Sequence, residues 1–237
     1  MSRTGSPTLV LLPGMDGAAK LFEPLIAALA DDVESIVVRY PDEPLDYAEH
    51  EAIARAALPT DRPYVLLGES FSGPIAISIA ASQPAQLVGY VLCASFVRSP
   101  YRWLTWLRPG LDLVFATRPP RMVAQYFLMG RFATRELRSL HTETMERVGP
   151  ATLAARGKAI ATCDVTRDLQ RVRVPGLYLR ATEDRVVPRS ATGLFGQLAS
   201  SARIVDIVGP HLLLQACPRE SARALQSFLQ QLAQRTD

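Results

Sequence analysis

The stretch Gly68-Glu69-Ser70-Phe71-Ser72-Gly73 joins an apolar run, Tyr64 to Leu67, to a helical stripe made by Ile75, Ala76, Ile79 and Ala80. A serine hydroxyl is a poor nucleophile unless a base takes its proton and hydrogen-bond donors stabilise the oxyanion that forms. A sharp strand-to-helix turn helps in two ways. It projects the serine away from the sheet, and it aims the unpaired N–H groups of the next helix at the reacting carbonyl. So tight a turn needs small neighbours two residues to either side. Gly68 meets this on one side. On the other stands Ser72, which reads as a tolerated small residue, then Gly73 and then Pro74, in the first helical turn where a missing N–H costs little. A plain glycine turn would be written in the same way, so Ser70 must be judged by its partners.

Three histidines are available as the base. His50 falls in a polar helical segment and His141 lies beside Arg and Glu; both read as surface residues. His211, in "IVDIVGPHLLLQACP", follows the last strand-like run at the carboxyl end of the sheet, the edge at which open α/β sheets bind ligands. The candidate acid is Asp184 in "GLYLRATEDRVVP", in a turn after the fifth strand, with Glu183 as its rival. Asp206 falls inside a strand and Asp168 precedes one, which puts both in the wrong place. In the order Ser70, Asp184, His211, each residue follows a different strand at one edge. Ser70 would attack, His211 would move its proton, and Asp184 would hold the imidazole tautomer and stabilise the imidazolium. The first strand ends in "LLPGMDGAAK", so the N–H of Met15 could join that of Phe71 as the pair of oxyanion donors. A strand-to-helix loop with no such role would look similar.

Positioning these residues requires a sheet. Short, continuous apolar runs recur at 9–12, 35–38, 64–67, 88–92, 177–179 and 204–208. They do not alternate with polar residues, as expected of parallel strands covered on both faces. Helical segments separate them, among them Leu21, Leu25 and Leu29 on one face, residues 46–58, and a C-terminal stripe of Leu225, Phe228, Leu229 and Leu232. The expected fold class is α/β, a doubly wound, mostly parallel sheet of about six strands with right-handed crossovers. The alternation breaks between about 97 and 168, where Gly and Pro punctuate roughly four short helices. We therefore expect a core formed by 1–97 and 169–237 and a helical cap inserted at 98–168, suited to act as a lid. The insertion carries twelve Arg and Lys against six Asp and Glu, and both tryptophans, Trp103 and Trp106.

Composition excludes several classes. A net charge of +3 in 237 residues implies no general affinity for polyanions, so no nucleic-acid partner is expected. No apolar run approaches a membrane span, and Leu9–Leu12 is too short for the core of a signal peptide. Three widely spaced cysteines, Cys93, Cys163 and Cys217, without a CxxC, fit a reduced, cytoplasmic chain. No metal-ligand cluster is evident.

With "LPGMDG", "GESFSG", "ATEDRVVP" and "GPHLLLQACP" in this order over nearly its whole length, the chain resembles the α/β-hydrolase family. The resemblance implies Ser70 as nucleophile, Asp184 as acid, His211 as base, and Met15 and Phe71 as oxyanion donors. It places the insertion at the family's cap position, and a four-helix cap on a compact core is similar to that of carboxylesterases acting on methyl esters of acyl-carrier-protein conjugates. Two departures stand out: the chain begins at what would be the family's third strand, and Ser72 replaces the commoner glycine. Serine at 70 disfavours the haloalkane and epoxide chemistry of family members with aspartate there, and favours cleavage of esters, thioesters or amides without a cofactor. The expected function is a serine carboxylesterase acting on a small-molecule ester with an apolar acyl group. The alternatives are a thioesterase or acyl-carrier-protein-dependent esterase, whose carrier the basic insertion would meet, and a hydrolase-fold binding protein with negligible turnover.

Overall fold

The computed structural model describes residues 6–31, 33–101, 120–199 and 202–236. Trp103, Trp106 and the first expected helix of the insertion lie outside the described residues. Six parallel strands form one sheet: β1 (Thr8–Leu12), β2 (Ser35–Val37), β3 (Tyr64–Glu69), β4 (Leu87–Cys93), β5 (Gly176–Ala181) and β6 (Arg203–Ile207), in the order β2-β1-β3-β4-β5-β6. The expected class and number of strands are borne out, and all the pairings are parallel.

The four central strands are apolar on both sides because both sides are covered, whereas the edge strand β2 is partly buried and the edge strand β6 is largely exposed. Leu9, Leu11, Val65, Leu67, Val91, Leu177 and Leu179 face a layer built from α1 (Glu23–Ala28) and the last helix, α9 (Pro218–Thr236), through Leu25, Leu225, Phe228 and Leu232. The alternate residues Val10, Leu12, Leu66, Tyr90, Leu92 and Tyr178 face the other layer. That layer contains α2 (Tyr47–Ala56), α3 (Gly73–Ala81), α7 (Thr166–Arg171) and α8 (Arg189–Leu198), with Ile75, Ile79, Leu169 and Phe195 in the core. Two-residue periodicity thus divides one apolar run between two cores. Among the described residues no helix is long and apolar enough to cross a membrane.

The strand order reverses between β1 and β3. The chain steps from β1 outward to β2, returns to β3 on the other side, and then winds on to β6. Loops leaving neighbouring strands in opposite directions open a crevice at their carboxyl ends. The loop after β1 and the turn after β3, which carry Met15 and Ser70, therefore flank that switch point.

Between β4 and β5 the described part of the insertion contains α4 (Arg121–Leu128), α5 (Arg135–Met145) and α6 (Pro150–Thr162), before α7. Its two ends run side by side: Val165 N donates to Val97 O at 2.9 Å, Ser99 N donates to Cys163 O at 2.9 Å, and Arg98 and Asp164 form an antiparallel bridge.

Helix α2 begins with a reciprocal cap. The Asp46 side chain accepts from Glu49 N at 2.9 Å, and the Glu49 carboxylate accepts from Asp46 N at 2.8 Å. Asp46→Ala is expected to lower stability by about 1 kcal/mol, measured by urea unfolding. An unchanged midpoint would mean that packing alone holds the start of α2.

Candidate active site

The β3–α3 turn is narrow because the residues flanking Ser70 at 68, 72 and 73 are small and the turn is tied to its neighbours. Ser70 has φ +47°, in the left-handed region that costs L-residues on the order of 1–2 kcal/mol. A Cβ on Gly68 would lie 2.5 Å from Ser72 O and 2.9 Å from the Ala76 Cβ, so only glycine allows β3 and α3 to cross this closely. A Cβ on Gly73 would collide with Ser95 Oγ, which donates to Ser70 O at 2.5 Å. Ser72 contributes more than small size. It is fully buried, and its hydroxyl donates to Pro13 O at the end of β1. Having given its one hydrogen there, Ser72 Oγ accepts from Tyr40 OH at 3.0 Å.

This backbone presents Ser70 Oγ to His211 Nε2 at 2.9 Å. On the far side of the ring, His211 Nδ1 lies 2.9 Å from Asp184 Oδ2 and 3.1 Å from Oδ1. The side chains of His211 and Asp184 are both about 5% exposed, so this contact is made away from bulk water. Asp184 Oδ1 also accepts from Val186 N at 2.7 Å and Val187 N at 2.9 Å, and these two bonds fix the carboxylate plane. With the Nδ1 hydrogen directed at Asp184, Nε2 of the neutral ring is left to accept from Ser70.

The rival acids point elsewhere. Glu183 makes a fork with Arg131 at 2.5–3.1 Å on the exposed side, and that guanidinium holds its carboxyl below the usual range. Asp206 pairs with Arg180 on the neighbouring strand, and Asp168 with Arg171.

Met15 and Phe71 lie on the two loops of the switch point. Phe71 N is among the leading N–H groups of the turn from 70 to 72, which have no intrahelical acceptor. The Met15 loop is a tight turn closed by Gly17 N donating to Gly14 O at 3.1 Å, with Gly17 at φ +69°. Among the described residues, no hydrogen bond joins the Met15 N–H to an acceptor.

Two histidines expected at the surface are buried. His50 is fully enclosed because α2 turns it toward Tyr40 and Phe71, at ring distances of 4.7 and 5.1 Å. His141 shares a buried face of α5 with Leu137 and Thr144, and desolvation lowers its pKa.

Sequence reasoning also missed the site's buried acids. Glu69 is enclosed beneath Ser70. Burial, reinforced by Asp16, pushes its carboxyl up to about 7. Asp16 is partly exposed, and desolvation raises its carboxyl to about 6. Gln215 Nε2 donates to Glu69 Oε1 at 2.9 Å, while the buried Gln215 Oε1 has no hydrogen-bond partner among the described residues. A cavity of about 700 Å³ lined by Asp16, Tyr40, Arg39, Arg147 and Arg156 opens beside this loop; neither Ser70 nor His211 lines it.

With the geometry in view, comparison with known proteins defines the class. Residues 9–224 match the alpha/beta hydrolase family, and the chain belongs to that family. It is 29% identical to a pimeloyl-[acyl-carrier protein] methyl ester esterase from Xanthomonas oryzae pv. oryzae, over 94% of this chain and 95% of that protein. Among solved structures, an esterase from Exiguobacterium antarcticum superposes with a TM-score of 0.80 at 14% identity, covering 96% of this chain and 93% of that one. The enol-lactonase from Burkholderia xenovorans LB400 gives 0.78 at 18% identity, covering 97% and 94%. The two structures support the fold, and the family match gives membership.

Gly68→Ala is expected to abolish turnover and lower the melting temperature, because neither Ser72 O nor Ala76 can retreat from a new Cβ. An active, stable variant would show that the turn is looser than described. Glu69 yields a pH test. Its folded-state pKa is raised from 4.5 to about 7, so its contribution to stability is fully present below about 4.5 and is lost as pH rises through about 7. Glu69→Gln should therefore gain melting temperature over the wild type at pH 8 and lose that advantage at pH 4.5. The same difference at both pH values would contradict the assignment.

Proposed function

We propose that the chain is a serine esterase that cleaves carboxylic esters through an acyl-enzyme. Ser70 Oγ attacks the ester carbonyl as His211 Nε2 takes its proton. The oxyanion is held by the N–H groups of Met15 and Phe71. Collapse of the tetrahedral intermediate expels the alkoxide, which receives the proton from His211, and leaves the acyl group on Ser70. Water, deprotonated by the same imidazole, then releases the acid. Asp184 keeps the Nδ1 hydrogen in place and stabilises the imidazolium. The observation that carries this reading is the continuous contact from Ser70 Oγ through His211 to Asp184, at 2.9 Å on each side of the ring.

The insertion at 98–168 is read as a cap on a core of 1–97 and 169–237. It contacts loops on both sides of the site. On the acid and base side, Leu212 N donates to Leu128 O at 3.0 Å, Tyr101 OH donates to Val186 O at 2.5 Å, and Arg185 Nη1 donates to Tyr126 O at 2.9 Å. On the Met15 side, Arg156 reaches Met15 O and Gly149 N reaches Asp42 Oδ1, both at 2.7 Å. A cap held in this way would close over an apolar acyl chain and exclude water. Three buried free thiols suit a reducing compartment such as the cytoplasm.

A more specific reading is a methyl ester carried on acyl carrier protein. The name of the Xanthomonas relative favours it, as does the excess of basic residues in the insertion, including Arg135 and Arg138, exposed on α5. An acidic carrier would be attracted to such a face, with salt-dependent strength.

Fluorophosphonate labelling tests the first reading. Wild type should label at one site and Ser70→Ala should not; an unlabelled wild type, or equal labelling of the variant, would sink it. His211→Ala should lower kcat by several orders of magnitude, and turnover near wild type would remove it as the base. For the carrier, kcat/KM for a carrier-bound methyl ester should exceed that for the free ester at low salt and approach it as salt rises. Equal values at every ionic strength would point to a free small ester.

A further inference from the structure

Arg156 comes from the insertion helix α6, yet it is fully buried against the core. A buried guanidinium is costly unless its donors are satisfied. Its Nη1 donates to Met15 O at 2.7 Å, its Nη2 to Pro41 O at 2.9 Å, and its Nε to His50 Nε2 at 3.3 Å. The loop fits closely around it: a Cβ on Gly17 would lie 2.9 Å from Nη1 and 3.0 Å from Nη2. The same residue, Met15, thus has its carbonyl gripped by Arg156 and supplies one of the N–H groups assigned to the oxyanion.

The other donor is tied into the same cluster. His50 Nδ1 donates to Asp46 O at 2.6 Å, which leaves Nε2 to accept from Arg156. The His50 ring packs edge-on against Phe71, while Tyr47 stacks on Phe71 at 4.7 Å and donates to its carbonyl at 3.1 Å. The chain from Tyr40 OH through Ser72 to Pro13 O closes the loop back to the end of β1. The residues bearing both N–H groups are therefore held, through their own carbonyls, by one buried network whose only cation is Arg156 among the residues named.

We propose that Arg156 is a positioning residue that sets the Met15 N–H against the Phe71 N–H, so that the insertion helps to build the oxyanion site as well as covering it. This rests on the serine-esterase reading above. Preorganised donors act only at their correct distance from the developing charge, and loss of one such donor costs on the order of 100–1,000-fold in rate. Displacing one should cost somewhat less.

The test uses Arg156→Gln and Arg156→Lys, each titrated to completion with a fluorophosphonate to count reactive Ser70, and then assayed on a p-nitrophenyl ester. The expected result is a kcat per titrated site lower by roughly 10–100-fold in Arg156→Gln. KM should stay within about threefold, and the pH midpoint of kcat/KM should not move, because the Ser70–His211–Asp184 contacts are untouched. Arg156→Lys, a point charge that cannot span both carbonyls, should fall between that variant and wild type. Wild-type kcat per site with only a lower melting temperature would reduce Arg156 to a structural role. A raised KM with unchanged kcat would make it a substrate contact. Should Arg156→Gln not fold, Arg156→Lys decides by the same criteria. A wild type that fails to label would overturn the serine reading itself, a separate failure.

Discussion

The site depends on a single backbone constraint, the left-handed conformation of Ser70 between a buried strand and a buried helix. A serine does not adopt φ +47° without compensation. The compensation is distributed: Gly68 lets α3 cross β3, Ser95 caps the Ser70 carbonyl, and Ser72 bonds back to the end of β1. Each element would be an ordinary packing detail alone. Together they point the Ser70 hydroxyl at a histidine delivered by a different strand, and a chain free to relax would lose that aim.

The sheet order gives the constraint its use. Because the strand order reverses between β1 and β3, the loop after β1 and the Ser70 turn lie against each other, with Ser72 bonded to Pro13 O, while the loops after β5 and β6 bring Asp184 and His211 to the same edge. The insertion then touches both flanks, with Leu128, Tyr126 and Tyr101 on the loops that carry His211 and Asp184 and Arg156 on the Met15 loop. Polar groups enclosed in this way carry high stakes. Glu69 and Asp16 are held where burial disfavours their charged forms, so part of the fold's stability is spent around Ser70.

The central strands are legible because parallel strands covered on both faces read as short unbroken apolar runs, the edge strand β6 because its run is mostly apolar around Asp206, and Ser70, Asp184 and His211 stand out because each lies within a few residues after such a run. The choice of Asp184 over Glu183 had a local signal. A short carboxylate followed by a turn can accept from the N–H two and three residues on, and Asp184 does so from Val186 and Val187. Other features had no local signal. Arg156 in "LAARGKAI" looks like any solvated helical arginine, and only the fold brings it to Met15, 141 positions away. His50 in "YAEHEAI" has charged neighbours on both sides, which hid the one face of α2 that packs on Phe71. Ser72 was legible as small, but its bond to Pro13 depends on where β1 ends.

The central claim is that Ser70 becomes covalently acylated during turnover. Rapid acid quench of the enzyme with a slowly deacylating ester, followed by mass spectrometry of the digested protein, measures this directly. The account predicts a mass gain equal to the acyl group, formed within one turnover and located on the peptide at Ser70. Continued hydrolysis with no acylated species even for the slowest esters, or an acyl group on another residue, would contradict it.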